Sequence, residues 1–176
     1  MFNAKDAFGL VRFERTREML LRWLELSALA DAALLTHRGT SLTEPHAEQP
    51  QLDDDDDDTL VADIVALHRA LWPYKSALLR KAQETGAPLV RPVWLHYPDA
   101  PGVMLLDRQF MLGREILVCP VLTPGDSVPC YIPRETQGWC ALRGGTRLPA
   151  AREGATMLCS APLGKPCAFK RCDARL

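Results

Sequence analysis

The sequence predicts an α+β chain in which a helical segment, residues 1–87, precedes an antiparallel β-sandwich, residues 88–176. Before Pro88, apolar residues return every three or four positions, as they do on one face of a helix. After Pro88, they occur in short extended runs separated by Gly and Pro turns, with no helical pattern between them. Short strands that follow one another in this way are typical of a sandwich.

Two helices are predicted in the first segment. Residues 13–30 carry a periodic apolar face, and residues 59–84 carry a second one that Pro73 interrupts, so we expect a kink near Trp72. Residues 33–36 are too few for another helix and predict a short buried strand that ends at His37.

A polar stretch, residues 38–58, separates this strand from the second helix and ends in six consecutive aspartates, residues 53–58. Such a run repels itself and favours solvent, and its last member can cap the helix that follows. We prefer this interpretation to a metal site, because the spaced glycine and glutamate of a calcium loop are missing.

Seven extended runs follow Pro88. They are residues 89–97, 109–112, 115–121, 128–132, 139–142, 156–159 and 167–171.

Charge and composition exclude several classes of protein. The 21 basic and 22 acidic side chains leave no net positive charge for binding nucleic acid. No apolar run approaches the roughly 18 to 20 residues that cross a membrane, and no secretory signal is visible at the start, so a cytoplasmic location is the default expectation. The six cysteines form no C-x-x-C pair, and we expect free, mostly buried thiols rather than a zinc ribbon or redox motif.

Several motifs in a fixed order are far more specific than these general features. Residues 71–74 read LWPY, residues 86–94 read GAPLVRPVW, residues 109–121 read QFMLGREILVCPV, and residues 131–133 read YIP. This order resembles the C-terminal part of the family 31 glycoside hydrolases, the α-glucosidase, α-xylosidase and sulfoquinovosidase group. The sequences of residues 17–23, 91–97 and 160–166 are most similar to those of the sulfoquinovosidase branch.

This resemblance implies that residues 1–87 are the last helices and strand of an incomplete (β/α)8 TIM barrel, and that residues 88–176 are the C-terminal β-sandwich. It also implies a retaining α-glycosidase that acts on carbohydrate substrates and uses two carboxylates about 5 to 5.5 Å apart. The family's W-x-D-x-N strand is missing here, so we expect both catalytic carboxylates either to lie upstream of this chain or to be absent from the gene product. Neither a cofactor nor a metal is implied.

One family substrate contact has a counterpart. His37, in the segment Thr36-His37-Arg38-Gly39, matches the family's R-x-H-x-G segment, whose histidine binds the sugar ring; the family's arginine falls on Leu35. The alternative for His37 is a structural histidine. Further candidates are interpreted as structural: His68 and His96 as packing residues, Asp107 as a turn or interface residue, and Trp23, Trp72, Trp94 and Trp139 as core rather than a sugar platform.

Two functional hypotheses therefore stand at this point. The first is a glycosidase represented by its C-terminal part, which is inactive alone. The second is a non-catalytic carbohydrate-binding or interaction module derived from such an enzyme. Under the first hypothesis, Leu20, Trp23, Leu24, Leu34 and Leu35 face barrel elements outside this chain and leave an exposed apolar patch.

Overall fold

The computed structural model describes residues 3–5, 11–13, 16–30, 55–149 and 154–176. The predicted strand at residues 33–36, His37 and the polar stretch up to residue 54 lie outside the described residues. Strands β1, Asn3–Lys5, and β2, Val11–Phe13, pair with each other in an antiparallel two-stranded sheet.

Both predicted helices are present. Helix α1, Arg17–Ala30, begins after Thr16, whose hydroxyl oxygen accepts a 3.1 Å hydrogen bond from the backbone N–H of Met19. Helix α2, Asp55–Thr85, continues through Pro73, and a kink at that point stays a prediction.

The aspartate run is partly inside α2. This helix begins at Asp55 because carboxylates in a first turn complement the positive end of the helix dipole. The expectation of a fully solvated run is wrong at Asp57, which is buried and contacts Arg17 of α1. A cation on the neighbouring helix therefore compensates the burial of one member of the run.

Each of the seven extended runs overlaps a strand, and β6 and β8 extend beyond the predicted bounds. Their bounds are β3 Val90–Pro92, β4 Phe110–Leu112, β5 Ile116–Val118, β6 Ser127–Ile132, β7 Trp139–Ala141, β8 Ala155–Ser160 and β9 Ala168–Arg171. The prediction of an extended run is wrong beyond Pro92, where Val93–Leu95 forms a 3₁₀ turn. There the backbone N–H groups of His96 and Tyr97 donate to the carbonyl of Val93, both at 3.1 Å, instead of to a partner strand.

The strands form two antiparallel sheets. One has the order β3-β4-β5-β9-β7 and the other pairs β6 with β8. Met111, Leu117 and Phe169 of the five-stranded sheet share one buried cluster with Cys130 and Ile132 of the two-stranded sheet. The two sheets therefore pack on a common core, as a sandwich requires.

The opposite face of the five-stranded sheet carries the helices. Alternate residues Leu112, Ile116 and Val118 pack with Leu71 and Leu78 of α2. β5 is therefore buried on both faces, which explains its uninterrupted apolar sequence. The described residues include no helix of the length and apolar character needed to cross a membrane.

Helix α1 packs on α2 in a third cluster. Leu21, Leu24 and Ala28 of α1 meet Ile64 of α2 there. The result is a mixed α+β architecture with helices on one face of an antiparallel sheet.

Candidate functional site

The predicted site residues have different outcomes. His37 lies outside the described residues, so its role as a substrate contact stays a prediction. The side chain of Asp107 is 84% exposed and 3.9 Å from that of Arg108, and its role as a turn or interface residue stays a prediction. His68 and His96 are half-buried, and burial together with the Arg91 guanidinium lowers the pKa of His96 below its usual value.

The prediction for the tryptophans is correct only for Trp139, which is buried and donates from its indole N–H to the Pro133 carbonyl at 2.7 Å. Trp23, Trp72 and Trp94 are 65%, 45% and 39% exposed. On α1, Leu24 faces the core and Trp23 lies about 100° away around the helix, so one residue is covered and its neighbour is not. The prediction that these residues belong to an exposed apolar patch is therefore confirmed for Trp23 and wrong for Leu24.

A buried polar contact joins α1 to the loops of the sandwich. Arg22 donates to Glu25 on the next turn of the helix at 2.9 Å, and also to the carbonyls of Gly125 at 2.7 Å and Ala161 at 2.8 Å. Glu25 in turn accepts a 2.6 Å hydrogen bond from the backbone N–H of Gly164. We call Arg22, Glu25 and these three loop residues the α1 seam.

The seam is buried enough for its charges to matter. Arg22 and Glu25 are 8% and 3% exposed. Burial raises the pKa of Glu25, and the hydrogen bond and charge of Arg22 act against that rise. Arg22 therefore stabilises the ionised form of Glu25, and the pair fixes α1 against loops more than 100 residues further along the chain.

Helix α2 meets the sheet through Tyr74. Its hydroxyl donates to the carbonyl of Leu112 at 3.0 Å and accepts from the backbone N–H of Glu115 at 3.2 Å. Gly113 lies beneath this contact with a φ of +60°, and an added Cβ there would collide with Tyr74 and Leu78. Only glycine combines this backbone conformation with this close approach.

A buried lysine lies where the two helices meet. Lys75 of α2 is fully buried, and its ammonium group donates to the carbonyl of Ala28, near the end of α1, at 2.6 Å. The Nδ1 of His68 is 3.3 Å from the same ammonium group. A cation at a helix C-terminus is favourable because the last carbonyls carry partial negative charge.

Comparison with known proteins identifies the sandwich. The sequence profile described as "Glycosyl hydrolase family 31 C-terminal domain" matches residues 86–171. Residues 86–171 belong to glycosyl hydrolase family 31.

Relatives in this family are similar to the chain beyond the matched domain. The chain is 32% identical over 171 residues to a sulfoquinovosidase of Agrobacterium fabrum, covering 95% of this chain and 24% of the relative. It is 30% identical over 124 residues to human neutral alpha-glucosidase AB, covering 69% of this chain and 13% of that enzyme. The chain therefore spans about a quarter, or less, of the length of these curated relatives.

Solved structures lead to the same family. A family 31 sulfoquinovosidase from E. rectale, in complex with an aza-sugar inhibitor, superposes with a TM-score of 0.81 at 26% identity, covering 95% of this chain and 24% of that chain. A family 31 alpha-xylosidase from a soil metagenome, complexed with xylose, gives a TM-score of 0.73 at 26% identity, covering 89% of this chain and 25% of that one.

Within the described ranges, the buried carboxylates are engaged in ion pairs. Glu25 faces Arg22, and Asp57 faces Arg17. A further carboxylate, Glu135, is 3.7 Å from Arg171 and accepts the hydroxyl of Tyr97 at 2.7 Å. Each of these three carboxylates therefore has an arginine as its ion-pair partner.

The prediction of free thiols is wrong for four of the six cysteines. Cys119 is bonded to Cys130, and Cys140 to Cys172, with Cα–Cα distances of 5.7 and 5.1 Å. Cys159 and Cys167 are buried thiols, as expected. The argument from cellular compartment says nothing about distance, and the pairing of distant strands brings these cysteines together.

Proposed function

We propose that this chain supplies the end of the catalytic barrel, residues 1–87, and the C-terminal sandwich, residues 88–176, of a retaining α-glycosidase. In this proposal the nucleophile and the acid/base carboxylate are contributed by a preceding part of the enzyme. In this proposal the chain alone has no turnover, because the family's W-x-D-x-N strand, which carries the nucleophile, is missing from its sequence.

The range of the similarity carries the proposal. The family profile matches residues 86–171, but the Agrobacterium enzyme aligns over 171 residues of this chain, which include both helices. A free-standing binding module needs no barrel helices, whereas an enzyme needs them to close its barrel. The family membership therefore favours the glycosidase over the module.

The α1 seam supports a specific role for the sandwich. Arg22 and Glu25 join α1 to the loops that contain Gly125, Ala161 and Gly164. His37 follows α1 in the sequence after only a few residues. In our proposal the sandwich holds α1 in place, and His37 donates or accepts a hydrogen bond to the sugar.

The substrate class follows from the relatives. Both the Agrobacterium enzyme and a solved structure with a TM-score of 0.81 are named sulfoquinovosidases. We therefore propose an α-glycoside of a sulfonated hexose as the first substrate to test, followed by an α-glucoside.

The test is a hybrid enzyme, in which this chain replaces the matching C-terminal region of the Agrobacterium sulfoquinovosidase. In that hybrid, His37→Ala should lower kcat/KM for an aryl α-sulfoquinovoside by about 5- to 150-fold, the range that corresponds to a lost hydrogen bond of roughly 1–3 kcal/mol. His46→Ala, from the same polar stretch, is the matched control and should leave kcat/KM unchanged. Equal effects of both variants would contradict the role of His37.

A further inference from the structure

Four cysteines converge in the middle of the sandwich. The backbone N–H of Cys119 donates to the carbonyl of Cys167 at 3.0 Å, so these two residues are neighbours at the five-stranded sheet. On the opposite sheet, Cys159 pairs with Val128, two residues before Cys130 on the same face of β6. All four belong to one buried cluster.

The sulfur atoms are close enough to share a single ion. The Sγ atoms of Cys119, Cys130 and Cys167 all lie within 4.8 Å of one another. Cys167 also interacts with Cys159 through a side-chain hydrogen bond. In a tetrahedral zinc site, Zn–S bonds of about 2.3 Å place the sulfurs about 3.8 Å apart, so rotation of the side chains brings this group to the required spacing.

We propose that, in the reduced protein, Cys119, Cys130, Cys159 and Cys167 bind one Zn²⁺ ion between the two sheets. Thiolate sulfur prefers zinc and other thiophilic ions, and four sulfurs with no oxygen donor disfavour calcium and magnesium. The site is independent of glycoside chemistry, since it lies inside the sandwich core.

The disulfide seen here is the oxidised form of this site. A dithiol reductant cleaves the Cys119–Cys130 bond: two thiols form on the protein, and the reductant becomes a disulfide. Zn²⁺ then replaces the thiol protons, which are released to solvent, and forms Zn–S bonds. In the reverse direction, a small-molecule disulfide accepts two electrons from the Cys119 and Cys130 thiolates and becomes a dithiol. The Cys119–Cys130 bond then forms again, Zn²⁺ leaves to solvent, and Cys159 and Cys167 take up protons from solvent.

Co²⁺ binding to the full 176-residue chain tests the proposal, because tetrahedral cobalt thiolates absorb visible and near-ultraviolet light. The chain is reduced with a phosphine under anaerobic conditions, freed of metal and titrated. We expect one equivalent of Co²⁺ to bind with thiolate-to-metal absorption and to be displaced by Zn²⁺. The oxidised chain should not bind it.

The variants make the assignment specific. Cys130→Ser and Cys167→Ser should each weaken Co²⁺ binding at least tenfold. The double variant Cys140→Ser/Cys172→Ser, which removes the other disulfide, should bind as the unchanged chain does. If Cys130→Ser loses its β-sheet circular dichroism, Cys130→Val replaces it as an apolar variant suited to a strand.

Three outcomes would overturn the proposal. They are a reduced, folded chain that binds no Co²⁺, binding that survives both single substitutions, and binding lost equally in the Cys140/Cys172 double variant. A reduced chain that loses its sheet signal and does not recover it with Zn²⁺ would also count against the site, since metal binding is coupled to folding.

Discussion

Replacing Arg22 with alanine removes the cation at the centre of the α1 seam. The buried carboxylate of Glu25 then loses its ion pair, and the carbonyls of Gly125 and Ala161 lose a donor. Removal of one partner from a buried pair costs about 3–5 kcal/mol. For a chain of this size, that corresponds to a fall in Tm of about 6–20 °C.

The loss should depend on pH because Glu25 titrates. Burial already raises the pKa of Glu25 above its ordinary 4.5, and removal of Arg22 raises it further. A raised carboxyl pKa means that the folded state holds the proton more tightly than the unfolded chain. The contribution of Glu25 to stability is therefore fully present below pH 4.5 and is lost as the pH rises through its folded pKa. The deficit of Arg22→Ala should accordingly be smaller near pH 4.5 than at pH 7.

Urea unfolding, followed by far-ultraviolet circular dichroism at both pH values, measures these effects. Arg143→Ala is the matched control, since Arg143 also joins a helix residue, Asp63, to the carbonyl of Gly164, but its side chain is 41% exposed. We expect that control to cost about 0–1 kcal/mol. An Arg22→Ala deficit no larger than that of Arg143→Ala, or one that grows on acidification, would refute the reasoning.

Three further predictions concern packing. Gly113→Ala should lower the free energy of unfolding by about 1–3 kcal/mol more than the control Gly86→Ala. Both glycines have positive φ, but only at Gly113 would an added Cβ collide with Tyr74 and Leu78. Equal melting temperatures of the two variants would contradict this prediction. Trp139→Phe should cost about 1–3 kcal/mol through the unsatisfied Pro133 carbonyl, whereas the exposed Trp94→Phe should cost under about 0.5; chemical denaturation compares the two. Trp23→Ser should reduce binding of a hydrophobic dye by the chain, and unchanged dye fluorescence would remove Trp23 from the exposed patch.

Local patterns in the sequence predicted the two helices and the seven strands after Pro88, but not β1 and β2. Each strand after Pro88 lies between turn residues, and β5 is apolar throughout because both of its faces are covered. The helical period also predicted α1 and α2. The sequence pattern does not predict the start of α2, because its first turn consists entirely of aspartates. A run of aspartates favours an exposed, non-helical segment, although the same carboxylates complement the positive end of a helix dipole.

Contacts between distant residues were not predictable in the same way. Arg22 occupies a polar position of an amphipathic pattern, and nothing near it in sequence indicates that Gly125 and Ala161 accept its hydrogen bonds. The full burial of Lys75 could not be predicted for the same reason, because its hydrogen-bond acceptor, the carbonyl of Ala28, belongs to the other helix. The cysteines lack close spacing in sequence, and only the pairing of strands brings them together.

The exposed tryptophans show a further limit of prediction from an apolar sequence pattern. Trp23 and Trp72 lie within apolar periodic segments, yet each is at least 45% exposed. A stripe of apolar residues does not say whether its partner belongs to this chain. The proposal that a barrel covers Trp23 supplies such a partner.

Turnover by the hybrid enzyme tests the central claim most directly. The assay compares three proteins with an aryl α-sulfoquinovoside and an aryl α-glucoside: the hybrid, the Agrobacterium enzyme truncated before the matching region, and this 176-residue chain alone. We predict turnover by the hybrid and none by the other two. A folded but inactive hybrid, or hydrolysis by this chain alone that Asp107→Asn abolishes, would contradict the account.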